Sequence, residues 1–165
     1  MIDFIACVLL AASVQTAPDT LVGQYALHPE AGDDPAAIAE QATRDVGWLK
    51  RSRMRGRLEE VLTPSPTLEI RRVDDAYVLI ADDGRSLQVV PGAPEVEQET
   101  PDGETARIAA TLEEGSLLIR FRTERGERVQ TLTPNDIGLQ VINTYTLEQL
   151  NEPVRMELVY RREGM

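Results

Sequence analysis

Leu21-Val-Gly-Gln-Tyr-Ala-Leu27 reads as a single β-strand, cut off from nine further strand candidates by about forty residues of helical character. That order, a lone strand, then helix, then a long run of hairpins, narrows the fold far more than it narrows the function.

Immediately after the strand, His28-Pro29 and Gly32-Asp-Asp-Pro35 mark a loop that runs into a helix start, with Asp34 as N-cap and Pro35 at the first helical position. Ile38, Ala42, Val46 and Leu49 recur at helical spacing, and beyond Gly47 the pattern resumes at Met54, Leu58, Val61 and Leu62. Two short helices or one kinked helix satisfy it equally. Pro64 and Pro66 end the pattern, because neither donates a backbone hydrogen bond and each pushes its predecessor to extended geometry.

From Thr67 onward the apolar period falls from 3.6 to 2. Strands are expected around Leu68 and Ile70, at Tyr77 to Ala81, at Leu87 to Val90, and in a weak acidic segment at Val96. Further strands follow at Ala106 to Leu112, Leu117 to Phe121, Val129 to Thr131, Leu139 to Tyr145 and Val154 to Tyr160. Asp74-Asp75, Asp82-Asp-Gly-Arg85, Pro101-Asp-Gly-Glu104 and Glu113-Glu-Gly115 supply tight turns between them. Connections this short allow only antiparallel neighbours. The last strand would be a sticky edge unless it pairs with the first, which closes the sheet on itself. The expected fold is therefore mainly β: an up-and-down antiparallel barrel of about ten strands, closed or nearly so, with a helical lid at about 35–62 between strands 1 and 2.

Ahead of the first strand, Phe4-Ile-Ala-Cys-Val-Leu-Leu-Ala-Ala12 followed by small and polar residues has the layout of a secretory leader, expected to be removed at about residue 17. It is too short for a stable membrane span, which takes about 20 apolar residues. Residues 18–165 then form one domain with no cysteine, since Cys7 is the only one. Export without disulfides points to a periplasmic or secreted protein. The net charge of −11 opposes general binding to nucleic acid. Its distribution is uneven: Arg44 to Arg57 holds six basic residues, whereas Glu95 to Glu114 holds seven acids against Arg107 alone.

The order of elements resembles the calycin folds, a lipocalin-like group, and within them most closely the fatty-acid-binding proteins, in which a helix-turn-helix after strand 1 covers the mouth of a ten-stranded barrel. Gly23-Gln24-Tyr25 looks like the Gly-x-Trp of their first strand with Tyr in place of Trp. Leu21-Val-Gly-Gln-Tyr-Ala-Leu-His28, Gly32-Asp-Asp-Pro35, Asp82-Asp-Gly-Arg85 and the closing Val159-Tyr160-Arg161 also resemble a group of uncharacterised exported bacterial proteins. The resemblance implies a fold and a binding role without an assigned activity. Fatty-acid-binding proteins close with an Arg-x-Tyr that holds the ligand carboxylate; Tyr160-Arg161-Arg162 has the wrong order, and no ligand contact carries over.

The chain offers little for catalysis. His28 is the only histidine, and the carboxylates around it, Glu30, Asp33 and Asp34, read as a solvated strand end. No Ser stands in a nucleophile elbow and no Gly-rich loop cradles phosphate. Asp74, Asp75, Asp82 and Asp83 lack the spaced oxygens of a Ca²⁺ loop and read as turn formers. A non-enzyme with neither cofactor nor metal is expected. For structural closure, Gly23 and Tyr25 are expected to meet an Arg of the last strand, Arg155 or Arg161, lying across the Tyr25 ring. Lys50, Arg51, Arg53, Arg55 and Arg57 form a candidate lid or partner patch. The arginines are two apart and so spread around a helix, free to sit in solvent, to dock on the acidic segment Glu95 to Glu104, or to meet an anionic partner. The function expected is an exported binding protein for a small apolar or amphipathic ligand. The alternative is an envelope interaction protein with a packed barrel, and an internal cavity decides between them.

Overall fold

In the computed structural model, residues 19–100 and 103–164 are described; the expected leader, 1–17, lies outside them. Every strand foreseen from the alternation is present: β1 (Gly23–Leu27), β2 (Thr67–Val73), β3 (Ala76–Ala81), β4 (Ser86–Val89), β5 (Val96–Glu99), β6 (Thr105–Glu113), β7 (Ser116–Thr123), β8 (Gly126–Asn135), β9 (Gly138–Leu147) and β10 (Val154–Arg162). They form one antiparallel sheet in the order β4-β3-β2-β1-β10-β9-β8-β7-β6-β5. The hairpins use the backbone that their turn residues favour: between β6 and β7, Glu114 and Gly115 both take positive φ, 49° and 82°, which matches the twist of the strands they join.

The first and last strands pair as the edge argument requires, with Tyr25 opposite Arg162 and Leu27 opposite Tyr160. Closure nevertheless stops one step short, because β4 and β5 are the two edges of the sheet and do not pair with each other. The connection between them reaches β6, where the Gly92 amide donates to the Ala110 carbonyl at 2.9 Å. The result is a curled sheet with a slot rather than a sealed barrel. β5 blunts its own free edge: all four of its residues are exposed and two are Glu.

Two helices fill the gap between β1 and β2, α1 (Pro35–Ala42) and α2 (Trp48–Leu62), so the helical stretch is broken at Gly47, the N-cap of α2. Asp34 caps α1, its carboxylate accepting from the Ala36 amide at 3.0 Å. Its neighbour Asp33 has a different task. The Asp33 amide donates to the Glu157 carbonyl and its carboxylate accepts from the Glu157 amide at 2.7 Å, which continues the cover of β10 where β1 has ended. Gly32 lets the chain come this close, since a Cβ there would stand 2.9 Å from the Glu157 carbonyl oxygen.

Residues of one parity face the concave side of the sheet and bury there: Ile70, Leu79, Ile108, Ile119, Leu132, Val141 and Met156 are each under 8% exposed. α2 is held more lightly, with only Leu58 and Leu62 buried along its length.

Candidate functional site

The concave face is not filled. A cavity of about 800 Å³ lies inside the curl, walled by Leu79, Ile108, Phe121, Val141, Met156 and Leu158 among others. Its rim is built from three places the sequence left apart: the end of α2 and the chain after it, Glu60 to Ser65; Arg85 to Leu87 on the β4 side; and Gln98 to Thr100 at the end of β5. The slot between the unpaired edges and the C-terminal turn of α2 thus share one opening.

Below the rim, and besides Tyr160, four polar side chains lie among the apolar ones. Arg128 and Gln130 from β8, and Asn143 and Tyr145 from β9, line the cavity, with Arg128 opposite Tyr145 and Gln130 opposite Asn143 in the register of the two strands. The Arg128 guanidinium lies 3.9 Å from the centre of the Phe121 ring, a cation-π contact, and among the described residues no carboxylate pairs with it. Asn143 is 4% exposed, and its Oδ1 is buried without a hydrogen-bond partner. Sequence reasoning missed Arg128 and Gln130 altogether and took Asn143 and Tyr145 only as strand residues. The signal was parity, because 128 and 130 share a face with Leu132, and 143 and 145 share one with Val141.

Tyr160 also reaches the cavity, but its hydroxyl is committed, donating to the Ser65 carbonyl at 2.9 Å and tying β10 to the segment behind α2. Burial, helped by the negative charge of Asp82, pushes this phenol up to about 12, so it stays neutral at ordinary pH.

The closure residues gather at a separate place. Tyr25 is 1% exposed and its hydroxyl donates to the Leu21 carbonyl at 2.8 Å. Burial raises its pKa, the nearby Arg162 charge offsetting part of the rise. A Cβ on Gly23 would stand 3.4 Å from that ring, packed against it. The arginine over the ring is Arg162, 5.4 Å from its centre and donating to its hydroxyl at 3.0 Å, and not Arg155 or Arg161. Parity is the reason: Arg162 follows Met156, Leu158 and Tyr160 on the inner face, whereas Arg155 and Arg161 lie on the outer one. Arg155 pairs with Glu157 at 3.3 Å instead.

The basic run lies along the exposed shaft of α2, and Lys50, Arg51, Arg53, Arg55 and Arg57 do not line the cavity; the Glu60 to Leu62 turn does. Among the described residues, no ion pair joins this run to the acidic hairpin. Glu95 pairs with Arg122 at 3.5 Å and Glu104 with Arg125, while Arg55 pairs with Glu59 of its own helix at 3.6 Å. Arg51 donates to the Val46 carbonyl at 3.2 Å. Beside the run, Trp48 and Leu49 are 79% and 76% exposed.

No family model and no curated protein matches the chain. Solved structures do. Lipid binding protein 8 of Caenorhabditis elegans is 17% identical with a TM-score of 0.53, covering 88% of this chain and 98% of its own. Fatty-acid-binding protein 1 of Echinococcus granulosus is 13% identical with a TM-score of 0.57, covering 88% and 99%. A Schistosoma mansoni fatty acid binding protein, solved in complex with arachidonic acid, is 15% identical with a TM-score of 0.55, covering 88% and 97%. The fold is of the fatty-acid-binding-protein kind: mainly β, ten antiparallel strands in a curled sheet, with two helices inserted after the first.

Proposed function

We propose that this chain is a binding protein for a small amphipathic ligand, an acid on an apolar chain, taken up inside the curled sheet. The observation that carries this is the cavity of about 800 Å³, within the roughly 300 to 1,000 Å³ typical of ligand sites, whose lining mixes apolar side chains such as Leu79, Ile108, Val141 and Met156 with polar ones. The unpaired Arg128 supplies the reason for an acid, because a cation facing a low-dielectric cavity gains from an anionic partner. A packed interior was the expectation of the alternative, and the cavity argues against it. The fatty-acid-binding structures of the same fold favour the same reading. Export to the periplasm or medium belongs to the proposal on the strength of the apolar run Phe4 to Ala12.

A fluorescent long-chain acid is expected to bind one per chain and to stabilise the fold by about 2.7 kcal/mol at a concentration a hundred times its Kd. Ala106→Trp, which puts a large ring into the cavity from β6, is expected to abolish uptake while leaving the sheet signal in circular dichroism. Uptake unchanged by Ala106→Trp would place binding elsewhere and end the proposal.

The basic shaft of α2 is assigned to approach and entry of the ligand rather than to bracing the sheet. Replacing Arg51, Arg53, Arg55 and Arg57 with Gln is expected to leave the melting temperature close to the parent's, since exposed charges of this kind contribute little to stability. Uptake of the acid at low salt should slow, because steering depends on the local field. A much lower melting temperature with unchanged uptake would make the run a structural brace.

A further inference from the structure

We infer that the ligand carries a hydrogen-bond donor, a hydroxyl or an amide N–H, a few bonds from its acid group. This rests on the binding reading above and narrows the ligand class of the same cavity. The observation is the pair of adjacent polar rungs, Arg128 opposite Tyr145 and Gln130 opposite Asn143, set among apolar side chains of the inner wall, away from the polar rim. Among the described residues, none of these four side chains has a hydrogen-bond partner in the protein, and the Oδ1 of Asn143 is buried.

A buried polar group left unpaired is costly, so the buried Oδ1 of Asn143, with three further unpaired polar side chains around it on the cavity wall, marks a place where something else completes it. An ionised carboxylate only accepts hydrogen bonds. It would satisfy the guanidinium of Arg128 and the hydroxyl of Tyr145, and would leave the buried amide oxygen of Asn143 unmatched. That oxygen needs a donor. Rungs of one face are roughly 7 Å apart along a strand, and facing residues about 5 Å apart across it. Side chains of this length bring both rungs within reach of a headgroup only a few bonds long. A 3-hydroxy acid and an N-acyl amino acid both have that chemistry, one with an O–H and the other with an N–H beside the carboxylate.

Displacement of the fluorescent acid distinguishes the two sources. The competitors are a long-chain acid, the matching 3-hydroxy acid, the N-acylglycine of equal length, and its N-methyl counterpart, which keeps shape and charge but has no N–H. At least one donor-bearing ligand is expected to bind about tenfold or more tighter than its donor-free match. The preference should fall toward unity in Asn143→Leu or Gln130→Leu, two variants of near-parental volume whose folding circular dichroism verifies. Arg128→Gln should weaken all the acids alike. Equal binding of donor-bearing and donor-free acids in the parent would overturn this inference and leave the binding reading in place. Failure of every acid to bind would overturn both.

Discussion

Tyr25→Ala is expected to cost about 3 to 5 kcal/mol of folding stability, measured by denaturant unfolding with the slope held in common with the parent. The ring is 1% exposed and meets Gly23 on its own strand and Arg162 on β10, so truncation leaves a cavity between the two strands. It also removes the hydroxyl that ties the strand to the Leu21 carbonyl and to Arg162. Tyr25→Phe separates the two contributions, keeping the ring and losing only the hydrogen bonds, for about 1 kcal/mol. A loss below about 1 kcal/mol in Tyr25→Ala would mean that this ring does not hold β1 to β10.

Gly138→Ala is expected to destabilise on the order of 3 kcal/mol, for a reason that lies in the backbone. Gly138 opens β9 at φ 151°, and a Cβ there would stand 2.3 Å from the Tyr160 carbonyl oxygen and 2.6 Å from the Arg162 amide nitrogen. Those are main-chain atoms of β10, unable to swing aside. Gly84→Ala is the control, since Gly84 has a positive φ of 79° with open space around it and should lose only about 1 kcal/mol. Equal losses at the two positions would show that φ alone matters and that β9 and β10 tolerate the crowding.

The ten strands were legible in the sequence because each carries an alternation that only an extended chain can bury, and the turn residues punctuate them. Asp34 and Pro35 likewise announced α1. What stayed hidden has a common character. The gap between β4 and β5 depends on which backbone edges find partners, and side-chain alternation is silent about that, although the exposed acids of β5 were a hint. Arg162 was overlooked in favour of Arg155 and Arg161, and counting in twos from Tyr160 would have found it. Arg128, Gln130, Asn143 and Tyr145 occupy inward positions that parity identifies, but polar residues there read as breaks in a strand pattern until a cavity is seen beside them.

The placement of the two free edges has a kinetic meaning. The slot separates strands that are consecutive in the chain, β4 and β5, while the middle of the sheet is stitched by β1 and β10, which lie at opposite ends of the described sequence. Two meanders, β1 to β4 and β5 to β10, are each built from strands consecutive in the chain, and within them β2 to β4 and β5 to β10 can form by local zippering. Making them one sheet is a ring closure over nearly the whole chain. Its entropic cost rises only slowly with length, by about 0.6 kcal/mol per doubling, but the search is non-local and therefore slow. Until that single seam is sewn, β1 and β10 both present unsatisfied edges, and the interval before it forms is when this chain is most open to pairing with another copy of itself.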